Sequence, residues 1–270
     1  MRRHPSITTS VTVAALALTW AMAPGARADA PRPDAGWEAE GRRVYQKACA
    51  ACHGERGDGR GPGAEQLANP VPRDFTKGAY KFRSTASGDR PLPEDLLRTI
   101  GEGIPGTVMP GWKQHLSLDE RRAVADYVLG FAPRPDEPPE RLVPPERELV
   151  IPPSTPALVA KGRQIYENMK CAPCHGDKGR GDGPANKTLK NDDGRKTVAL
   201  DFTVGLYKGG ARPFDVYRTF VTGVTGTPMP SYADALPSEE ERWALVWYVL
   251  SLSRKPGLGT WLFGVQTNWK

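Results

Sequence analysis

The chain has 270 residues, of which 39% are apolar, and this is enough for two domains with modest hydrophobic cores. Its 29 glycines and 27 prolines predict short helices joined by long irregular loops. A formal net charge of +6 is small for this length, and no basic run is interleaved with aromatic residues, so the composition argues against nucleic-acid binding.

Residues 1–28 have the features of a secretory signal peptide. Arg2 and Arg3 form a positively charged start, residues 11–23 are almost all apolar, and residues 26–28 (Ala-Arg-Ala) match a small-x-small cleavage site. An uncleaved membrane anchor is the alternative, but this apolar run is shorter than the roughly 20 residues that a spanning helix needs. We therefore expect export to the periplasm, cleavage near Ala28 and no transmembrane span in the mature chain.

The rest of the chain contains an internal repeat, and each copy carries the pattern C-x-x-C-H. It occurs at residues 49–53 (Cys-Ala-Ala-Cys-His) and 171–175 (Cys-Ala-Pro-Cys-His). In this spacing the two thiols bond covalently to one haem, and the following histidine becomes a ligand of its iron. Four cysteines could instead form a zinc site or two disulfides, but neither needs a histidine directly after each pair. The pattern predicts two covalently bound haem c groups, with His53 and His175 as axial ligands. The predicted attachment residues are Cys49, Cys52, Cys171 and Cys174.

Further blocks follow each C-x-x-C-H pattern in the same order. They are a glycine-rich loop, an Asp-Phe-Thr segment, a Met-Pro loop and a final helix. Capping boxes at residues 117–120 and 238–241 predict where the final helices start, and apolar residues then recur at helical spacing. Additional helices are predicted near residues 94–103 and 214–223. Neither copy shows an alternating strand pattern, so the predicted fold class is all-α.

The second axial ligand of each iron has few candidates. Two of the five methionines lie in the leader, and Met169 is too close to Cys171 to reach the opposite face of the haem. Met109 and Met229 remain, at matching positions in two Gly-Thr-x-Met-Pro loops. Either methionine could be an ordinary core residue, but the match between the copies favours ligation of iron. His115 could replace the first methionine, but the second copy has alanine there, which favours a histidine that faces solvent or a partner.

Two segments lie outside the repeats. Residues 132–156 contain nine prolines, which excludes a helix and favours a semi-rigid polyproline II linker. We expect this linker to lie over the surface of one domain while the two domains pack together. The tail, residues 254–270, is rich in large apolar residues and is expected either to pack on the second domain or to anchor a partner subunit.

The order of these blocks resembles that of class I cytochrome c, with two copies in tandem as in dihaem cytochromes of the cytochrome c4 type. The resemblance covers residues 37–131 and 157–253. It implies two all-α cytochrome c domains joined by the proline-rich linker. The Asp-Phe-Thr segments, the linker and the tail depart from the family pattern.

The resemblance also implies roles for individual residues. The backbone carbonyls of Pro62 and Pro184 would accept a hydrogen bond from the proximal imidazoles, a contact that orients the ring. The first and last helices of each domain would cross closely, at the pairs Gly41 with Tyr127 and Gly162 with Tyr248 or Trp247.

An iron atom with histidine on one side and methionine on the other has no open position for a substrate. One-electron transfer then remains, and methionine ligation raises the reduction potential. The hypothesis is a periplasmic electron-transfer cytochrome between a dehydrogenase or quinol-oxidising complex and a terminal acceptor, as a shuttle or as a subunit. The alternative is a dihaem enzyme of the peroxidase type with one open iron, against which the two matching methionine loops argue. A thiosulfate-oxidising enzyme with a cysteine ligand is disfavoured because haem attachment uses all four cysteines.

Overall fold

The computed structural model of the protein describes residues 35–67 and 70–253. The predicted signal peptide and the tail at residues 254–270 lie outside this part of the chain. Within it, the chain forms eight α-helices, five short 3₁₀ helices and no β-strand, so the predicted all-α class is confirmed. No helix among these residues combines the length and the apolar character needed to cross a bilayer.

Each domain contributes four helices in the same order. The first domain contains α1 (Ala35–Ala48), α2 (Ala50–His53), α3 (Pro93–Glu102) and α4 (Leu118–Leu129). The second domain contains α5 (Pro156–Asn168), α6 (Ala172–His175), α7 (Pro213–Thr222) and α8 (Glu239–Ser251). The helices predicted near residues 94–103 and 214–223 are confirmed as α3 and α7, each of which has proline at its first position.

The last helix of each domain starts at the predicted serine. In α4 the Ser117 hydroxyl accepts from the Glu120 amide at 3.1 Å, and the Glu120 carboxylate accepts from the Ser117 amide at 2.8 Å. In α8 the Ser238 hydroxyl accepts from the Glu241 amide at 3.5 Å, but the structure does not have the reciprocal bond from the Ser238 amide to Glu241, so the predicted capping box is complete only in α4. These bonds satisfy amides that would have no partner inside the helix, which explains why both helices begin there.

The first and last helices of each domain cross at a glycine. A methyl group on Gly41 would lie 2.9 Å from Cβ of Tyr127, and one on Gly162 would lie 2.7 Å from Cβ of Tyr248. Only a residue without a side chain allows the two backbones to approach this closely. The crossings that the family resemblance implies are therefore confirmed, with Tyr248 and not Trp247 as the partner in the second domain.

We expect Gly162→Ala to destabilise the second domain. The new methyl group would also overlap the backbone carbonyl of Ala244, and overpacking of this kind costs about 1–3 kcal/mol. Because the overlap is with backbone atoms, we expect a cost near the upper end of this range, which exceeds the gain of about 1 kcal/mol that alanine has over glycine inside a helix. Thermal unfolding of the haem-loaded protein measures the effect. Gly101→Ala is the control, because its nearest neighbour at 3.1 Å is the flexible tip of Arg121; an equal loss in both variants would contradict the crossing as the cause.

Each domain has its own hydrophobic core. In the first domain, Val44 and Tyr45 of α1 pack with Val124 and Val128 of α4. In the second domain the corresponding helices supply Ile165, Tyr166, Leu245 and Val249. Apolar area is therefore buried separately around each C-x-x-C-H pattern, as expected for two domains of one fold.

The proline-rich linker contacts both domains, so the expectation that it lies over one of them is wrong. The amides of Leu142 and Val143 donate to the carbonyl of Ser84 in the first domain at 2.8 and 2.9 Å. The Val143 side chain is fully buried in the core of the second domain. Trp247 donates from its indole nitrogen to the linker carbonyl of Pro152 at 3.0 Å. The linker lies against both domains because its backbone groups form hydrogen bonds with each of them and its Val143 side chain packs into the second core.

Direct contacts also join the two domains. Arg83 is fully buried, and its guanidinium donates to the carbonyl of Thr222 at 2.9 Å. Arg98 of α3 donates to the carbonyl of Gly209 at 3.1 Å. These bonds agree with the expectation that the two domains pack against each other.

Candidate haem-binding sites

The two C-x-x-C-H patterns form the short helices α2 and α6. The amide of His53 donates to the carbonyl of Cys49, and the amide of His175 donates to the carbonyl of Cys171, both at 2.9 Å. This single turn brings the two thiols and the imidazole of a pattern close together. In the second domain Cys171, Cys174 and His175 line one common cavity.

The two cysteine pairs belong to different cores. Cys49 packs against the core of the first domain and Cys171 against that of the second, and no disulfide joins any two of the four cysteines. Burial raises the pKa of both Cys49 and Cys171 to about 11, so these thiols are neutral at neutral pH. Among the described residues, no three His, Cys, Asp or Glu side chains are grouped to hold a metal ion.

The glycine-rich loops pack directly on the backbone between the two cysteines. A methyl group on Gly61 would lie 2.6 Å from the carbonyl carbon of Ala51, and one on Gly183 would lie 2.5 Å from that of Pro173. Real side chains do not tolerate such distances, which explains the glycines at these two positions. The loop therefore supports the C-x-x-C turn from outside.

The proximal imidazoles hydrogen bond to backbone carbonyls of the segment that precedes Asp-Phe-Thr. Nδ1 of His53 lies 3.2 Å from the carbonyl oxygen of Arg73, and Nδ1 of His175 lies 3.1 Å from that of Leu200. A carbonyl only accepts, so Nδ1 carries the proton and Nε2 keeps its lone pair for a metal. Burial lowers the pKa of both histidines, which favours this neutral form.

The prediction that Pro62 and Pro184 supply these carbonyls is wrong. Both prolines are instead the first residues of short 3₁₀ helices, Pro62–Ala64 and Pro184–Lys187. The physical reason is the position of the Asp-Phe-Thr segment, which lies next to each imidazole. The carbonyl of the residue directly before this segment therefore accepts the hydrogen bond. The amide of Phe202 donates to the carbonyl of Gly179 at 2.7 Å and so fixes this segment to the glycine-rich loop.

A phenylalanine of the same segment stacks on each imidazole. The ring centroids of His53 and Phe75 are 4.5 Å apart with an interplanar angle of 20°, and those of His175 and Phe202 are 4.4 Å apart with an angle of 17°. Behind Phe202 the ring of Tyr207 stacks in turn, at 5.9 Å. Each imidazole is therefore oriented by one hydrogen bond and one aromatic face.

The cavity of the second domain has a volume of about 500 Å³, which is within the range of cofactor sites. The two thiols and the imidazole line it together with Met229. Its remaining walls are mainly apolar, with lysines among the lining residues. This combination of covalent attachment groups, an imidazole, a thioether and apolar walls fits a haem.

The methionine loops of the two domains have the same internal bonds. The amides of Met109 and Met229 donate to the hydroxyls of Thr107 and Thr227, both at 3.2 Å. The carbonyls of the two methionines accept from the amides of Ile104 and Val224, both at 3.1 Å. Each methionine is thus fixed by its own loop and not by a helix face. The repeated loop geometry supports equivalent roles for the two side chains.

Comparisons with known proteins assign both domains. Residues 38–128 match the family "Cytochrome C oxidase, cbb3-type, subunit III", and residues 159–253 match the family "Cytochrome c". Cytochrome c55X of Paracoccus denitrificans is 36% identical over 117 residues, which are 43% of this chain and 95% of that protein. The chain belongs to the cytochrome c family. This cytochrome has two cytochrome c domains in tandem, and such domains imply haem c.

Two further relatives are parts of larger assemblies. The cytochrome is 30% identical to the cbb3-type cytochrome c oxidase subunit CcoP of Azospirillum brasilense over 199 residues, 73% of this chain, and spans 56% of that protein. Among solved structures, it matches a chain of the reducing HAO-like protein complex of Kuenenia stuttgartiensis with a TM-score of 0.72 and 42% identity. That match covers 80% of the cytochrome and 96% of the other chain.

We expect Phe202→Leu to lower the reduction potential of the second haem and to cost about 1–2 kcal/mol of stability, less than the 3–5 kcal/mol of a full truncation to alanine. The aromatic face shields the His175 imidazole, and water reaching the imidazole would stabilise the charged, oxidised site. Redox titration measures the potential. Phe214→Leu is the control, because Phe214 is also buried in this core but does not stack on the histidine. If both variants shift the potential equally, stacking is not the cause.

Proposed function

We propose that this cytochrome is a periplasmic dihaem electron-transfer protein. One haem c would be attached through Cys49 and Cys52, and the other through Cys171 and Cys174. The predicted signal peptide supports this assignment, because it would bring the chain to the compartment in which haem c is attached in bacteria.

The proposed axial ligands are His53 with Met109 and His175 with Met229. The observation that carries this proposal is that His175 and Met229 line the same cavity as the two thiols. When bound, haem supplies one-electron redox chemistry at its iron. The residues of the chain would fill both axial positions and exclude substrates from them, while the apolar walls keep water away. Electron transfer is the function that such a closed site supports best.

A role as a subunit of a larger redox complex is favoured over that of a free shuttle. One relative is named as a subunit of a cbb3-type cytochrome c oxidase, and one similar solved chain belongs to a reducing HAO-like protein complex. By analogy, this cytochrome would carry electrons between a dehydrogenase or quinol-oxidising complex and a terminal acceptor. Its partners would be redox proteins.

Two measurements on the unmodified exported protein test the proposal. Mass spectrometry should show two covalent haem additions, and the reduced protein should bind little carbon monoxide because both irons have two ligands. Fewer than two haem additions would overturn the dihaem assignment. Stoichiometric carbon monoxide binding at one haem would instead favour a peroxidase-like enzyme with one open iron.

A further inference from the structure

The cavity of the second domain is completed by residues of the first domain. Lys81 and Phe82 line it together with Lys208 and Gly209, their equivalents in the second repeat. The cavity therefore extends to the domain interface.

The interface is closely packed at this point. A methyl group on Gly209 would lie 3.1 Å from the ring of Phe82, so the phenylalanine occupies the space that a side chain would need. The carbonyl of Gly209 accepts from Arg98 of the first domain at 3.1 Å and from Arg218 of the second at 2.8 Å. The cavity wall at Gly209 is thus held by both domains.

Positively charged side chains, Lys81 and Lys208, line this wall of the cavity. Lys81 makes no ion pair and no side-chain hydrogen bond within the described part of the chain. Burial lowers its pKa to about 8, and the nearby charges of Arg73 and Lys208 act in the same direction. Asp193, the carboxylate whose charge opposes this lowering, is paired with Arg195 at 2.6 Å. A half-buried ammonium group in this setting lacks a negative partner.

A haem would supply that partner. It carries two carboxylates, and they project from the edge of the porphyrin opposite the side chains that bond to cysteine. A third cavity-lining lysine, Lys170, directly precedes Cys171 and therefore belongs to the attachment edge. Lys81 and Lys208 remain as the cations for the carboxylate edge.

We propose that the second haem is bound by both domains, with the ammonium group of Lys81 paired to one of its carboxylates across the interface. This inference rests on the proposed dihaem function. It assigns to a first-domain lysine a direct influence on the haem of the second domain. Haem attachment in the second domain would then also strengthen the contact between the domains.

Redox titration of the holoprotein with Lys81→Gln tests the inference. Loss of the ammonium group should lower the potential of the second haem, because a nearby positive charge favours the reduced iron. Lys208→Gln identifies which of the two potentials belongs to this haem, since Lys208 lines the cavity from within its own domain. Lys81→Arg should leave the potential nearly unchanged, because it keeps the charge.

Lys77→Gln is the matched control. It removes the same charge four residues away, from a side chain that is 68% exposed, and should move neither potential. The inference is wrong if Lys81→Gln shifts only the potential that Lys208→Gln leaves unchanged, or if it shifts neither. Mass spectrometry of the variants and of the unmodified protein separates the two proposals. If Lys81→Gln carries two haems and its potentials are unshifted, only the cross-domain contact is overturned. If the unmodified protein lacks a haem, the proposed function is overturned.

Discussion

A variant with Cys171→Ala and Cys174→Ala is expected to carry one covalent haem per chain in place of two and to lose the fold of its second domain. The cavity that the haem would fill is about 500 Å³. Without the haem, the apolar walls of this cavity would be exposed to water and would lose their contacts with the porphyrin. A typical domain has a total stability of only about 5–15 kcal/mol. We therefore expect the second domain to unfold or to melt at a much lower temperature.

Mass spectrometry and far-ultraviolet circular dichroism measure this result. The mass should fall by one haem, and about half of the helical signal should be lost or should melt at a much lower temperature. The reciprocal variant, with Cys49→Ala and Cys52→Ala, should lose the other haem. Retention of native helicity and melting temperature in the first variant would show that the second domain folds without its haem.

The candidate covalent and axial residues could be selected from the sequence because the information is local. A C-x-x-C-H pattern needs only five consecutive residues, since one turn of backbone already brings its thiols and imidazole together. The methionines could be selected because the same short loop occurs twice. Similarly, the capping residues Ser117 and Ser238 lie next to the helices that they start.

The partners of the imidazoles could not be found in this way. The acceptor carbonyl lies 20 residues from His53 in the first domain and 25 residues from His175 in the second. Every residue has a backbone carbonyl, so no residue type marks the position of the one that is used. The stacked rings of Phe75 and Phe202 did leave a signal, because the Asp-Phe-Thr segment recurs in both copies although it departs from the family pattern.

The domain interface also left a signal in the sequence. The sequences of the two repeats match up to Lys81 and Lys208. At the next two positions the first copy has Phe82 and Arg83, whereas the second has Gly209 and Gly210. A side chain on Gly209 would meet the ring of Phe82, so the glycine allows the phenylalanine of the other domain to pack there. The two repeats therefore differ at a position where the two domains are in contact.

The ligand opposite each histidine determines whether the iron has an open position. We expect Met229→Ala to open the iron of the second haem, because Met229 is the only methionine among the residues that line this cavity. The reduced variant should bind carbon monoxide at one haem per chain, and the oxidised variant should lose about half of the near-infrared band that reports sulfur on iron. The potential of the second haem should fall, because methionine ligation raises it. Met109→Ala should have the same effects on the first haem.

Two further variants separate ligation from packing. Met169→Leu is the control, since Met169 also packs against the second core but lies next to the attachment residues; it should leave the band and the carbon monoxide binding unchanged. Met229→His should restore a closed site without the sulfur band and with a lower potential than the unmodified protein, because the imidazole replaces the thioether. If Met229→Ala retains the full sulfur band, Met229 is a packing residue and the second iron has another ligand or none. Carbon monoxide binding by the unmodified protein separates these two cases, and an open second iron would favour an enzyme over an electron carrier.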